Sequence, residues 1–263
     1  MLVQFMLKNV LSFKEETVLD MTAINAYKEH PGNLIDIGTA EKFLKVAAIY
    51  GANASGKSNL HMAMCYFQYI ITESFNNVAE DDQTAIARYY NPFSFEEEEE
   101  NSEFQVIEII EDYEYKYGFE YNDKCVVAEW MYRKNIKNNR TSTIFERTTH
   151  EVHLGASVRK ECELYKEQIP AETLVLSFFN KLKTDIFRNM YNSIMNTLVV
   201  PTDFCEDPKI LKALLPPVID NDRENLLAFL KAIDTGITDI GYAENENQIY
   251  FDTIHVGKDG HEY

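Results

Sequence analysis

A glycine at 51, a second at 56, and a lysine and serine directly after it complete a G-x-x-x-x-G-K-S pattern within Tyr50-Gly51-Ala52-Asn53-Ala54-Ser55-Gly56-Lys57-Ser58. Gly51 and Gly56 let the main chain curl so that successive N–H groups point inward at a phosphate. A helix starting beside Gly56 adds its positive end to the same place. Lys57 is expected to neutralise the β- and γ-phosphates of a nucleotide, and the Ser58 hydroxyl to ligate Mg²⁺. Ala52, Asn53, Ala54, Ser55 and Asn59 complete the stretch expected to line the nucleotide. Asn53 and Ser55 either shape the loop or touch the ligand through their N–H groups.

Such a loop needs a strand before it and a helix after it. Lys45 to Tyr50 predicts a buried strand from its short apolar run. Asn59 to Thr72 predicts a helix, because Leu60, Ala63, Met64, Phe67, Ile70 and Ile71 fall on one face. The first twenty residues predict a β-hairpin turning near Leu11-Ser12-Phe13-Lys14. Phe13 is either hairpin core or a neighbour of the adenine. Val-, Ile-, Tyr- and Phe-rich runs at 103–110, 113–121, 125–133 and 142–147 predict successive antiparallel strands. Helices are expected at 174–187, 189–199 and 225–233, then strands at 237–243 and 248–256. The fold class expected is α/β with α+β character. It divides into a hairpin, loop strand and helix over 1–95, an antiparallel β subdomain over 96–150, a helical segment over 151–235 and a returning β-hairpin over 236–263.

The chain of 263 residues is long enough for one large α/β domain or two smaller ones. No run approaches the length of a membrane span and no leader peptide is evident, so a cytoplasmic location without membrane contact is expected. Cys65, Cys125, Cys162 and Cys205 are widely spaced, which favours free thiols over a zinc site or disulfides. A net charge of −18 weighs against a general nucleic-acid surface. The basic stretch from Arg133 to Arg140 is either a polar hairpin tip or a local nucleic-acid contact. The glutamate run from Glu96 to Glu100 reads as a solvated loop.

A phosphate loop does not fix the class of nucleotide enzyme. No D-x-x-G or N-K-x-D motif points to a GTPase, and no arginine-rich lid points to a nucleotide kinase. The hairpin carrying Lys8-Asn9-Val10-Leu11-Ser12-Phe13-Lys14, followed by the loop and then antiparallel strands, resembles the ATPase heads of the ABC superfamily in their SMC-like and OLD-like branch. The phrase Ala47-Ala48-Ile49-Tyr50-Gly51-Ala52-Asn53-Ala54-Ser55-Gly56-Lys57-Ser58-Asn59-Leu60 extends the resemblance to AAA-type ATPases of bacterial abortive-infection and anti-phage systems. So do Asn91-Pro92-Phe93, Tyr115-Lys116-Tyr117-Gly118-Phe119, Leu176-Ser177 and the run from Asp234 to Ile240. Leu11 departs from the family by standing where an arginine is common.

The resemblance implies ATP and Mg²⁺ as ligands, a homodimer or higher oligomer through the heads, and an effector partner such as a nuclease. It also suggests Gln105 as a second Mg²⁺ contact and draws attention to His255, although both positions equally suit ordinary strand residues. The family's signature loop and Walker B strand are not found. Val218-Ile219-Asp220 is the nearest match to the latter, and Glu111-Asp112 reverses its acid order. The expectation is therefore that the chain resembles the N-terminal portion of such a head, stops before those motifs, and binds ATP but hydrolyses it poorly alone. The alternatives are a nucleotide-sensing interaction protein without catalysis and an SMC-like ATPase of DNA repair.

Overall fold

The computed structural model describes residues 1–24, 29–53, 55–75, 83–94, 100–196, 208–232, 237–244 and 249–255. Two compact units emerge, Met1–Val199 and Val200–Tyr263. In the first, β1 (Leu2–Lys8), β2 (Thr17–Asp20), β3 (Leu34–Asp36) and β4 (Lys42–Leu44) precede α1 (Lys57–Glu73) and the short α2 (Ala85–Arg88). Then follow β5 (Ser102–Ile110), β6 (Tyr113–Tyr121), β7 (Val126–Asn135), β8 (Thr141–Thr148) and β9 (Val152–Leu154). The short α3 (Arg159–Cys162), α4 (Val175–Lys181) and α5 (Asp185–Asn196) close the unit.

Seven of the strands form one sheet in the order β2-β1-β5-β6-β7-β8-β9, antiparallel throughout. The alternation seen in the sequence becomes two faces. Phe104, Phe119, Glu129 and Arg147 are successive cross-strand partners on the inner face; Tyr117, Met131, Phe145 and Leu154 form the next row. Helix α1 lays Ala63, Phe67, Ile70 and Ile71 on this face. The Phe67 ring stacks on Phe119 at 5.8 Å, and Phe104 stacks on Tyr121 at 6.0 Å. Further along, Phe187 of α5 packs against Phe145 and against Phe179 of α4. On the outer face, Trp130 lies over Gly118. A Cβ at Gly118 would stand 2.6 Å from the indole and 2.7 Å from the Phe104 carbonyl, so only glycine fits.

One acidic and one basic residue, Glu129 and Arg147, belong to the inner face, where their polar groups need partners. The Glu129 carboxylate accepts from the Val175 and Leu176 amides at 2.6 and 3.0 Å and from the Tyr117 hydroxyl at 3.0 Å. Arg147 stands 3.9 Å away and donates to the carbonyls of Pro170, Ala171 and Thr173. These bonds fasten the chain entering α4 to β7 and β8. The short α4 begins at the point where Glu129 satisfies two N–H groups that the helix itself leaves unpaired.

The helix expected at 174–187 is two helices. Lys183 takes a left-handed φ of 61° between α4 and α5, which ends the first and re-aims the second. The second unit holds α6 (Pro208–Ala232), β10 (Ile237–Glu244) and β11 (Ile249–His255), the two strands pairing antiparallel as expected. Val218-Ile219-Asp220 lies inside α6, just after Pro216 and Pro217, and so is not the strand a Walker B motif requires. Asp220 instead accepts from the Tyr242 hydroxyl at 2.8 Å. Among the described residues no helix is long and apolar enough to cross a membrane.

Burial pushes the Glu129 pKa up to about 7, against the lowering pull of Arg147, the two amides and the Tyr117 hydroxyl. The folded chain therefore keeps a proton on Glu129 that the unfolded chain releases near its ordinary 4.5. This contribution to stability is complete below about pH 4.5 and is lost as pH rises through 7, by at most about 3 kcal/mol. Urea unfolding of the native chain and Glu129→Gln at pH 5.5 and 8 checks this. The native chain is expected to lose more stability than the variant over that interval; parallel curves would refute it.

Candidate functional site

The phosphate loop follows directly from a segment that the sequence marks as a strand. The structure corrects that expectation: Lys45 to Tyr50 is in no strand, and its residues are exposed. Val46 is 67%, Ile49 51% and Tyr50 90% accessible. Its start is held by the Pro31-Gly32-Asn33 turn, where Asn33 bonds the Val46 N–H and carbonyl and the Lys45 ammonium reaches the Gly32 carbonyl. Beyond Val46, the main chain of Ala47 to Tyr50 makes no hydrogen bond among the described residues. A strand is stable only when neighbours accept from its N–H groups and donate to its C=O groups, and none of the described strands lies alongside.

The helix after the loop does form, two residues earlier than its periodicity indicates. Gly56 is its N-cap in left-handed conformation at φ 91°, and Leu60 N–H bonds the Gly56 carbonyl at 2.9 Å. Lys57 opens α1, with Ser58 and Asn59 in its first turn, so all three sit at the helix's positive end. Ser58 is exposed, which leaves its hydroxyl accessible to a cation. Ala54 lies outside the described residues. The loop is tight at both glycines. A Cβ at Gly51 would come 2.4 Å from the Ser55 hydroxyl oxygen, and one at Gly56 would meet Phe13 and Ser12 at 3.2 Å each.

Those contacts show what holds the loop from below. The turn between β1 and β2 places Ser12 and Phe13 against Gly56, with Asn9 and Leu11 both left-handed at φ 51° and 54°. Asn9 is buried and organises this corner. Its side chain accepts from Phe93 N–H at 2.9 Å and donates to the Glu100 carbonyl at 2.7 Å, while its own carbonyl accepts from Ser102. Leu11 N–H bonds the Asn91 carbonyl at 2.7 Å. The Asn91-Pro92-Phe93 phrase is thus a brace for the hairpin that abuts the loop. Ser12 carries no signal of its own in the sequence beyond its place in the hairpin phrase.

Lys57 is turned inward. Its ammonium donates to the carbonyls of Gly51 at 2.8 Å and Ala52 at 2.7 Å and lies 3.4 Å from Ser55 Oγ. The Ser55 N–H bonds the Ala52 carbonyl at 3.2 Å. The lysine thus occupies the curl that its charge is expected to serve, using main-chain oxygens as the anion's substitute. A polyphosphate carries far more negative charge than two amide carbonyls, so these bonds are the kind it displaces. Among the described residues Lys57 pairs with no carboxylate and no cluster of acidic, histidine or cysteine side chains is set to hold a metal.

The remaining candidates lie elsewhere. Gln105 alternates with Phe104 and Val106 on β5, so its side chain is on the outer face, away from α1, where it accepts from Trp130 Nε1 at 3.2 Å. The structure does not bring it together with Ser58. His255 ends β11 in the second unit. The Arg133–Arg140 stretch is the β7–β8 hairpin tip, and much of its charge is engaged. Arg133 lies over the Tyr113 ring, Lys134 faces Glu114 and Lys137 bonds Asp112 at 2.9 Å. Glu111 and Asp112 form the β5–β6 turn. A cleft of about 710 Å³ opens beside these tips, floored by Phe43, Ile109 and Ile136, but no phosphate-loop residue lines it.

With the loop's geometry in view, its relatives carry weight. Residues 46–152, less than half of the chain, match the family described as "AAA domain, putative AbiEii toxin, Type IV TA system". The match supports an AAA-type P-loop ATPase. It begins at the exposed lead-in and runs through α1 to β9. Comparison with curated proteins finds no match.

Gly56→Ala places a side chain at φ 91° and against Phe13, and is expected to lower stability by about 1–2 kcal/mol. That corresponds to a melting temperature lower by roughly 2–8 °C. Gly32→Ala, which meets nothing within 4 Å, is the control and is expected to leave the midpoint in place. Equal midpoints for both variants in a thermal melt would refute the packing of Phe13 on the loop.

Proposed function

We propose that the chain binds ATP with Mg²⁺ at Gly51–Ser58 and acts as a nucleotide-dependent switch in bacterial anti-phage defence, controlling an effector protein such as a nuclease. The observation that carries the nucleotide reading is the glycine curl ending in a left-handed N-cap, with Lys57 and Ser58 at the positive end of a 17-residue helix. The donors suit the ligand: helix amides and the Lys57 ammonium for phosphate oxygens, the exposed Ser58 hydroxyl for the cation. Bound Mg²⁺ supplies charge neutralisation between the phosphates. Lys57 leaves the Gly51 and Ala52 carbonyls to bind the anion, and the Ser12–Phe13 corner supports the loop while it reshapes.

Turnover needs more than binding, because a carboxylate must orient water and complete the metal shell. Among the described residues no carboxylate pairs with Lys57, and Val218-Ile219-Asp220 is helical. We therefore assign this chain binding with slow hydrolysis, and place faster hydrolysis in a head-to-head dimer. The defence setting rests on the resemblance and on the toxin–antitoxin wording of the matched family's description. The second reading, a nucleotide sensor without catalysis, is favoured by the same lack of a placed carboxylate.

Calorimetry with ATP–Mg²⁺, alongside phosphate release, decides between these. Binding is expected in the native chain, and a loss of at least about tenfold in affinity in Lys57→Ala. Unchanged binding in the variant would remove the loop from the nucleotide site. Brisk turnover by the isolated chain would overturn the assignment of slow hydrolysis.

A further inference from the structure

Three hairpin turns line the cleft of about 710 Å³ at the end of the sheet where β1 begins. The β3–β4, β5–β6 and β7–β8 turns each bring a residue of left-handed φ to it: Gly38 at 79°, Glu111 at 54° and Asn139 at 54°. Glycine and asparagine adopt that conformation readily; glutamate does not, so Glu111 holds its place at a backbone cost. The floor is apolar, with Phe43 and Ile109 buried and Ile37 and Ile136 half-buried beside them.

The rim is charged, and its charges do not balance. Lys134 faces Glu114 at 3.7 Å and Lys137 bonds Asp112 at 2.9 Å, so both ammoniums that line the cleft already have carboxylates. Glu41 and Glu111 line it as well, both exposed and without an ion pair among the described residues. Two nearby cations do not line the cleft: the N-terminal ammonium donates to the Ile109 carbonyl at 2.8 Å, and Lys42 faces Asp36 at 3.2 Å. A small-molecule pocket sets its few polar groups among apolar walls. An apolar floor ringed by exposed charge is instead the anatomy of a protein interface. We infer that this cleft docks a partner polypeptide through an apolar side chain with lysine or arginine beside it. The apolar group covers Phe43, Ile109 and Ile136, and the cations reach Glu41 and Glu111. The inference stands apart from the nucleotide reading, since no phosphate-loop residue lines the cleft.

The probe is a blocked hexapeptide alternating leucine and arginine, titrated by fluorescence anisotropy. One control peptide replaces the arginines by glutamate, and another replaces the leucines by serine. The first peptide is expected to bind at least about tenfold more tightly than either control, and less tightly as salt screens the rim. Glu41→Gln with Glu111→Asn is expected to weaken it by about threefold or more. Asparagine suits the left-handed backbone at 111, so the melting midpoint of that double variant is expected not to fall. Glu15→Gln with Glu16→Gln removes the same charge from exposed positions at the opposite end of β1, and is expected to leave the affinity unchanged.

Equal affinity in the two double variants would spread the peptide over the acidic surface at large and overturn the cleft as its seat. Equal binding of the serine control would overturn the part played by the apolar floor, and equal binding of the glutamate control the match of charge. No binding of the first peptide at saturating concentration would overturn the docking site. Sedimentation that shows a dimer, dissociated by Glu41→Gln with Glu111→Asn, would overturn the separate partner and assign the cleft to a second copy of this chain.

Discussion

An extended backbone in a protein needs a neighbour for its amide groups, and that constraint sorts this molecule into what is built and what waits. Where neighbours exist, the chain forms a seven-stranded antiparallel sheet with a dense aromatic face. Where none lies alongside, at Ala47–Tyr50, an equally apolar stretch stays irregular and exposed. The phosphate loop straddles the boundary. Its helical side is anchored on the sheet through Phe67, Ile70 and Ile71, and its other side is tied at Gly32 and Asn33. The inward turn of Lys57 belongs to that half-anchored state.

Two polar arrangements keep the built part in place, and both are main-chain braces made by side chains. Asn9 gathers Phe93, Glu100 and Ser102 around the hairpin corner that supports Gly56. Glu129 and Arg147 gather the approach to α4 onto the sheet. The first sits beside the phosphate loop and the second at the far helices. Replacing either by an apolar residue would leave buried carbonyls and amides unpaired, which is more damaging than the loss of the bonds themselves.

Much of this was legible from residue order. The strands β5 to β8 and helix α1 follow from alternation and from the spacing of Phe67, Ile70 and Ile71, because local periodicity and the buried face coincide there. The loop's glycines, Lys57 and Ser58 were legible for the same reason: their chemistry is local. What failed was non-local. Lys45–Tyr50 has a strand's composition, but composition cannot supply a neighbour. Gln105 stood open between a metal contact and an ordinary outward-facing strand residue, because the face it occupies depends on the register of β5 against β6. Glu129 and Arg147 carry no local signal, since their partnership exists only once β7 and β8 pair. Lys183 gave no glycine or proline warning of the break between α4 and α5.

The chain carries a single tryptophan, and its seat has an optical consequence. Trp130 lies on the outer face of the sheet, across Gly118 and bonded to Gln105, while α1 and the loop's supports lie on or beside the inner one. Its emission reports whether the central strands are assembled and is a poor witness to what enters the loop. The sixteen tyrosines are differently disposed. Tyr50, almost bare to solvent and one residue from Gly51, is the native chromophore closest in sequence to the loop, and its signal is the one to separate from the rest.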